Sequence, residues 1–525
     1  MLASLALRLA TIRESLWVDE LHSAWVVAGD SDQIAARAAL GNQTPWYFWG
    51  LWFCQQWVGD SAWGLRLPSV ISPTFTALLV YGAIGRWTES WGAGMAAGLA
   101  VAVDRNAIFF GGEARGYAMV VLAMTITTIA VVHWIDTSGD GERTPGRWAG
   151  GALILGGALM AVMIHVTAAL AMASLAGTLV LAAVWQRWQE RGKATTGTLE
   201  RFFVPLALLV LGVSIALMIN AETIAEVWSR RGQWNAFARA DSLANLWQMW
   251  PWTALVLLPW TLAAVFRWLE KLGILPGNEK DPSGLRWRQL SHGLLAVTIM
   301  GTCVAWIVSY YGLAAVWHRR FLIGLFPPLV MAAGVRTAGF VRRGGWLVLP
   351  LGLMFFQGTL AQLGRGQLNW VHRGEDWAGL VSYLHAQRQP QDRVWLAAQL
   401  LESRWLTEGV PAADGRRPLT AEQREYLLYP LSGPYYVAGV EPLGRLDEPQ
   451  TAVDLRAALG GAVSEPGAEK TGAASHRWIV VRRSRRQVQQ WWEDEVVGGW
   501  QQWNGTVEPK SFGKLTLLKV SPAGR

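Results

Sequence analysis

Four short stretches of this chain carry residues that could do chemistry. The first, Ser15-Leu-Trp17-Val-Asp19-Glu20-Leu-His22-Ser23, sets two adjacent carboxylates and an imidazole among tryptophans, just past the first apolar segment. The second is Glu113-Ala-Arg115-Gly-Tyr117, which places an acid, a base and a phenol in a turn between two apolar runs. The third, Trp317-His318-Arg319-Arg320-Phe321, presents two arginines where another apolar run begins; guanidinium forks suit phosphate oxygens. The fourth is His165, the one strongly polar residue near the middle of the stretch from Ala149 to Trp185. Taken singly, each has an ordinary alternative: a solvated acidic loop, a Glu–Arg pair holding a helical hairpin, contact with lipid headgroups, and a histidine that packs helices together.

The elements that must position these residues follow from composition. At 525 residues the chain could make three or four soluble domains of ordinary size, yet 52% of it is hydrophobic and 16% charged, against about 25% charged in soluble chains. Mean hydropathy is +0.22. The 33 tryptophans outnumber the 15 phenylalanines and 10 tyrosines together, as expected of rings placed at membrane–water interfaces. Cys54 and Cys303 leave no disulfide framework and no Cys/His cluster for zinc. The net charge of +8 comes from basic residues scattered through short loops, a mark of membrane topology rather than of nucleic-acid binding. These features predict a polytopic α-helical membrane protein.

Apolar runs long enough to span a hydrocarbon core of about 30 Å are predicted near 66–85, 91–110, 117–135, 148–164, 167–185, 202–219, 249–266, 291–310, 321–336 and 346–362. The run from Ala149 to Trp185 is too long for one span and divides into two helices at a tight turn beside His165. The first apolar segment, broken by Arg8, is short. A first span whose start has been lost is favoured over a membrane-dipping helix, for about eleven spans in total. Loops 136–147, 186–201, 267–290 and 336–345 carry the larger share of Lys and Arg and are assigned to the cytoplasmic side. The loops at 13–65, 111–116, 220–248 and 311–320 then face outward. From residue 363 the composition turns polar, with strand patterns at Arg393-Val-Trp-Leu-Ala-Ala, His476-Arg-Trp-Ile-Val-Val-Arg and Lys514-Leu-Thr-Leu-Leu-Lys-Val and helical spacing over Trp377–Gln387. The expected organisation is a membrane domain over 1–362, with 13–65 its first extracytoplasmic loop, and a soluble extracytoplasmic α/β domain over 363–525. The protein is expected in the cytoplasmic membrane, as a multi-pass chain.

On that topology the acidic sites and the Arg319-Arg320 site share one membrane face. Costly charges near an apolar boundary are commonly functional, and a lipid phosphate with its head group outside the membrane would use all of them. The same residues, in the same order, resemble the GT-C fold membrane glycosyltransferases, specifically the bacterial mannosyltransferase/aminoarabinose-transferase-like family. Ser15-Leu-Trp-Val-Asp19-Glu20 is similar to that family's "slWxDE" loop, and Thr44-Pro-Trp-Tyr-Phe-Trp-Gly-Leu-Trp52 stands at its "PPLYYxxLxxW" helix. Gly59 to Ser69, ending Leu-Arg66-Leu-Pro68-Ser69, resembles "G.s..alRLPS"; Glu113-Ala-Arg115-Gly-Tyr117 resembles "qEARxYal". His318-Arg-Arg320-Phe-Leu-Ile-Gly-Leu-Phe-Pro327 is similar to "H.RYll...P", and Glu375-Asp376-Trp377 through Val394 to the opening of the family's outer domain. The sequence departs at Gln43-Thr44-Pro45, where the family has His-Pro-Pro.

The resemblance implies transfer of a sugar, hexosyl or pentosyl, from a polyprenyl-phosphate donor to an acceptor at the outer face of the membrane, with inversion at the anomeric carbon. Asp19 is the expected general base, with Glu113 as second choice or orienting group. Glu20 and His22 are expected to position the acceptor. Arg115, Arg319 and Arg320 are expected to meet the phosphate charge, with Tyr117, His165 and His318 as further substrate contacts. A divalent metal is left open, since carboxylates could hold one but no ligand set is evident. The expected partners are the lipid donor, an acceptor that is protein, lipid or polysaccharide, and membrane lipids, with no nucleic acid. A lipid-phosphate transporter or flippase and a non-catalytic scaffold are the alternatives. A transporter would show inverted repeats with its polar residues at the bilayer midplane, and a scaffold would have lost its acidic loop; neither feature is present.

Overall fold

The computed structural model describes residues 1–9, 12–137, 145–189, 197–229, 238–274, 282–341, 374–397, 419–443, 455, 476–497 and 505–521. Among them, eight helices have the length and apolarity to cross a bilayer: Ala62–Thr88, Tyr117–Thr137, Gly146–Ile164, Ala168–Gln189, Arg201–Ile219, Thr253–Lys271, Trp287–Tyr310 and Arg319–Val341. The chain is a polytopic α-helical membrane protein. Each of these helices overlaps a span expected from the sequence. The expected span at 346–362 lies outside the described residues.

One expected span takes a different form. The run at 91–110 is a pair of helices, Trp91–Val103 and Arg105–Gly111, bent by 57°. The break falls at Asp104, whose backbone is extended (φ −60°, ψ 131°) and whose Oδ1 accepts the Ala107 N–H at 2.8 Å. An aspartate is favoured as a helix N-cap and costly inside an apolar helix, so the chain ends one helix and begins another there.

The chain divides into two compact units. The membrane unit comprises 1–12, 42–59 and 63–371, and the second unit comprises 13–41, 60–62 and 372–525. In the membrane unit, Tyr117–Thr137 and Pro145–Ile164 form a hairpin, and the helix Gly197–Ile219 packs on the latter. Ala168–Gln189, Pro282–Tyr310, Phe326–Val341 and Trp91–Val103 continue the series, each against the next. The helix Arg319–Val341 is the most enclosed, with 94% of its apolar window buried, whereas Thr253–Lys271 is 11% buried.

Close approach in this bundle depends on small residues. A Cβ on Gly94 would lie 2.5 Å from the Tyr81 carbonyl oxygen, one on Gly98 3.0 Å from that of Ala77, and one on Gly334 2.7 Å from the Ala97 Cβ. Such contacts replace the hydrophobic drive that lipid tails remove. Hydroxyls in the helices close onto their own backbone, as Thr125, Thr127, Thr128 and Thr337 do by donating to the carbonyl four residues earlier at 2.7–2.8 Å. Hydrocarbon offers them no other acceptor.

The second unit holds a five-stranded sheet in the order β2-β1-β3-β5-β4, with β1 Arg393–Ala397, β2 Val440–Pro442, β3 Arg477–Val481, β4 Thr506–Phe512 and β5 Leu515–Ser521. β1 is parallel to β2 and β3; β5 is antiparallel to β3 and β4. Trp395, Ile479, Val481, Leu518 and Val520 pack on one side with Val488, Trp491 and Trp492. The helix Trp377–Gln387 begins at Asp376, which accepts the Gly379 N–H at 2.9 Å. The two strands absent from the sequence reading, β2 and β4, are the sheet's edges. Each contains a proline, Pro442 and Pro509, as edge strands tolerate.

Gly94→Leu is expected to destabilise the purified protein by about 1–3 kcal/mol through overpacking. Gly82→Leu, in the same bundle but with open space at its Cβ, should change little. Melting temperatures of both variants in detergent check this.

Candidate active site

The membrane unit gathers five of the expected site residues, Glu113, Arg115, Tyr117, His165 and Arg320, in one region. Glu113 and Arg115 lie between the helices Arg105–Gly111 and Tyr117–Thr137, and both are buried (1% and 7% exposed). The turn is clamped at the backbone: the Arg115 N–H donates to the Glu113 carbonyl at 2.8 Å, and the Ser69 hydroxyl donates to the Arg115 carbonyl at 3.0 Å. Two separate sequence motifs, Arg66-Leu-Pro68-Ser69 and Glu113-Ala-Arg115, therefore meet. Gly116 sits where a Cβ would be 2.6 Å from Ile164 and 3.3 Å from the Tyr47 ring, so the turn can lie this close because that residue has no side chain.

Tyr117 lies tilted beside His165, with ring centroids 5.2 Å apart, and edge-on to Phe110 at 5.3 Å. His165 occupies the tight turn between Pro145–Ile164 and Ala168–Gln189, with its Nδ1 2.8 Å from the Thr167 hydroxyl and its ring 6.0 Å from that of Phe321. The Arg320 guanidinium lies over Phe321 at 5.0 Å. Burial first, and then the positive charges of Arg320 and Arg115, push the His165 pKa down to about 3. The imidazole is therefore neutral at physiological pH and faces two cations. Two guanidiniums, a neutral imidazole and a phenol are a donor set suited to an anion, phosphate above all.

Thr44 completes this region. Its hydroxyl donates to the carbonyls of Met163 (2.7 Å) and Ile164 (3.3 Å), capping the end of the helix that leads into His165. Asn42, Gln43 and Thr44 line a small pocket with His165, Val166, Thr223 and Ile224. The departure Gln43-Thr44-Pro45 thus supplies a helix cap beside His165.

Arg319 and His318 are engaged differently. Arg319 donates to Asn106 Oδ1 at 3.3 Å and to the Gln248 carbonyl at 2.8 Å, and it lies within Coulombic reach of Asp104. Asp104 also feels Arg8, which donates to the Ser4 carbonyl and hydroxyl and to the carbonyls of Ala102 and Val101. His318 Nδ1 accepts the Arg320 N–H at 3.3 Å, fixing the short helix Arg319–Leu322. Sequence reasoning passed over Asp104 because it lies inside an apolar run. Its adjacency to Arg105 and Asn106 is the signal that could have marked it.

The acidic loop belongs to the second unit. Asp19, half-buried, and Glu20, fully buried, lie in the first turn of the helix Val18–Val27, where carboxylates meet the positive end of the helix dipole. Glu20 Oε2 accepts the Trp17 N–H at 3.2 Å, so this carboxylate closes the helix start. His22 is buried edge-on against Tyr426, centroids 5.3 Å apart, and against Gly41, where a Cβ would clash with its ring. Trp25 lies tilted against Tyr426, centroids 4.9 Å apart, and carries the Arg37 guanidinium at 5.0 Å, which also donates to the Trp25 carbonyl. Burial holds the nearby Tyr429 phenol protonated, its pKa pushed up to about 12. Glu375, marked in the sequence only as part of the outer-domain motif, accepts the Val18 N–H at 3.0 Å, and the hydroxyl of Tyr435, which the sequence did not mark, accepts the Leu16 N–H at 2.9 Å. Among the described residues, no group of three or more His, Cys, Asp or Glu is placed to hold a metal ion.

No family model matches the chain, and no curated protein matches it. It is similar to the crystal structure of ArnT from Cupriavidus metallidurans bound to undecaprenyl phosphate, with 14% identity over 98% of this chain and 96% of that one and a TM-score of 0.49. The apo state of the same protein gives 12% identity, the same coverage and a TM-score of 0.48. The Archaeoglobus fulgidus oligosaccharyltransferase in complex with Zn and sulfate is matched at 9% identity over 90% of this chain and 64% of that one, with a TM-score of 0.38.

The depressed His165 pKa carries a pH signature. Below about pH 6.5 the unfolded chain takes up a proton at this residue that the folded chain refuses until about pH 3. Stability is therefore lost as pH falls through that window. His165→Gln removes the contribution, so its melting temperature should fall less steeply than that of wild type between about pH 7 and pH 5.

Proposed function

We propose that this chain is a GT-C type membrane glycosyltransferase, which moves a sugar from a polyprenyl-phosphate-linked donor to an acceptor at the outer face of the cytoplasmic membrane. The observation that carries this reading is the cluster of Arg115 and Arg320 about the buried, neutral His165, with Tyr117 alongside. Two guanidiniums, a neutral imidazole and a phenol gathered in one buried region suit an anion, and the apolar helices that carry them suit a phosphate on a lipid tail. The order of the six sequence motifs supports the same reading independently.

In the proposed reaction an acceptor hydroxyl attacks the anomeric carbon as the bond from that carbon to the phosphate oxygen breaks. Asp19 takes the hydroxyl proton, and the configuration inverts because attack and departure lie on opposite faces of the sugar. Polyprenyl phosphate leaves with its negative charge, which Arg115 and Arg320 stabilise. Glu113, held in the same turn as Arg115, orients the cationic group. Glu20 serves the helix start that carries Asp19, and His22 packs behind it. Arg319 and His318 fix the segment that presents Arg320. In this reading the outer domain lies outside the cytoplasm, on the side where the acceptor is met.

Mass spectrometry of polyprenyl-phosphate lipids in the native host tests the proposal. Asp19→Asn and Arg320→Ala are each expected to cause one polyprenyl-phosphate sugar to accumulate, its mass giving the sugar class. An unchanged lipid pool, with both variant proteins present and folded in the membrane, would count against glycosyl transfer.

A further inference from the structure

Glu375 is a buried carboxylate with three donors from three different parts of the second unit. Its Oε2 accepts the backbone N–H of Val18 and the indole N–H of Trp377, each at 3.0 Å, and its Oε1 accepts Arg482 Nε at 2.7 Å. The Glu375 side chain is 3% exposed and that of Arg482 26%. A carboxylate taken this far out of water persists when a cation and oriented N–H groups meet it, as here. Its backbone is fixed as well. Glu375 bridges Gly513 at the turn between β4 and β5, and Asp376 N–H donates to the Phe512 carbonyl at 3.4 Å. Gly374 and Gly513 both adopt positive φ (74° and 67°), and a Cβ on Gly513 would meet the Gly374 carbonyl oxygen. Arg482 in turn follows β3 directly, and its N–H donates to the Ala397 carbonyl at the end of β1 at 3.2 Å.

The Val18 N–H is one of the orphan donors at the start of the helix Val18–Val27, and the next residue is Asp19. We infer that Glu375 is a positioning residue for Asp19: it ties the first turn of that helix to the sheet and so sets where the Asp19 carboxylate points. Two flanking bonds serve the same end, Leu16 N–H to the Tyr435 hydroxyl and Ala378 N–H to Ser15 Oγ. This inference rests on the transfer reading above for its functional consequence, while its structural half stands on the contacts alone. Bonds to backbone amides fix the helix start without occupying the carboxylate of Asp19 itself, and a base held to the geometry of reaction gains rate from that order.

The test uses the full-length protein and three variants. By hydrogen–deuterium exchange, Glu375→Ala should raise the exchange rate over residues 15–22 by about tenfold, the loss of one buried hydrogen bond, with β3 and β5 unchanged. Glu375→Gln keeps an oxygen for the Val18 and Trp377 donors and should restore most of that protection. Tyr435→Phe, which removes the Leu16 acceptor, should raise exchange in the same segment more modestly. In cells, Glu375→Ala should accumulate the same lipid as Asp19→Asn, and Glu375→Gln less of it. Unchanged exchange over 15–22 in Glu375→Ala overturns the positioning role; if that variant fails to fold, wild-type exchange in both Glu375→Gln and Tyr435→Phe does so. If Asp19→Asn raises the lipid and Glu375→Ala, though loosened at 15–22, does not, positioning fails while transfer stands. If Asp19→Asn and Arg320→Ala both leave the pool unchanged, the transfer reading fails whatever Glu375 does; if Asp19→Asn alone does, the base role of Asp19 fails and positioning fails with it.

Discussion

A helix that ends in a medium of low dielectric leaves amide N–H groups at one end and carbonyls at the other without intrahelical partners, and hydrocarbon supplies none. In this chain the buried polar side chains answer that shortage. Arg8 spends its guanidinium on the carbonyls that end Trp91–Val103, Thr44 caps Pro145–Ile164, Asp104 opens Arg105–Gly111, and Glu375 opens Val18–Val27. Two residues of the proposed site stand beside these caps: His165 one residue past the helix that Thr44 closes, and Asp19 one residue past the amide that Glu375 holds. The positions of these two residues are thus set by how the helix ends beside them are satisfied.

Much of this was legible in the sequence. Span positions follow from runs of apolar residues, a signal that membrane burial makes strong because nearly every residue in the run must be apolar. The turn at His165 was marked by the one polar residue in a stretch too long for a single crossing. β1, β3 and β5 carry continuous apolar patterns because they are interior to the sheet, whereas the edge strands β2 and β4 are short or alternate with charge and proline. The bend at Asp104 was not read, since hydropathy averages over a single carboxylate. Nor was the role of Glu375, because a hydrogen bond to a backbone amide 357 residues away leaves no local pattern.

The site residues divide along the same line. Arg115, Tyr117, His165 and Arg320 were singled out by residue type alone, and the fold brings them to one region. Arg319, equally conspicuous in sequence, turns to Asn106 and the Gln248 carbonyl instead. Adjacent residues at the start of a helix point about 100° apart, so of two neighbouring arginines one can face the histidine while the other braces the bundle.

The second unit is stitched from pieces far apart in the chain, since 13–41 packs with 372–525. During synthesis the acidic segment leaves the ribosome long before Glu375, Tyr426 and Tyr435 exist. At about 5–20 residues per second the delay is on the order of 20–70 s. Through that interval the helix Val18–Val27 lacks the carboxylate and hydroxyl acceptors that later secure its start. The protein therefore comes into being with the start of that helix unsecured, and its first turn is fixed only when the segment carrying Glu375 and Tyr435 has been delivered and folded. An order of assembly is written into the connectivity: the second unit closes on its acidic segment only after the intervening membrane helices have been laid down.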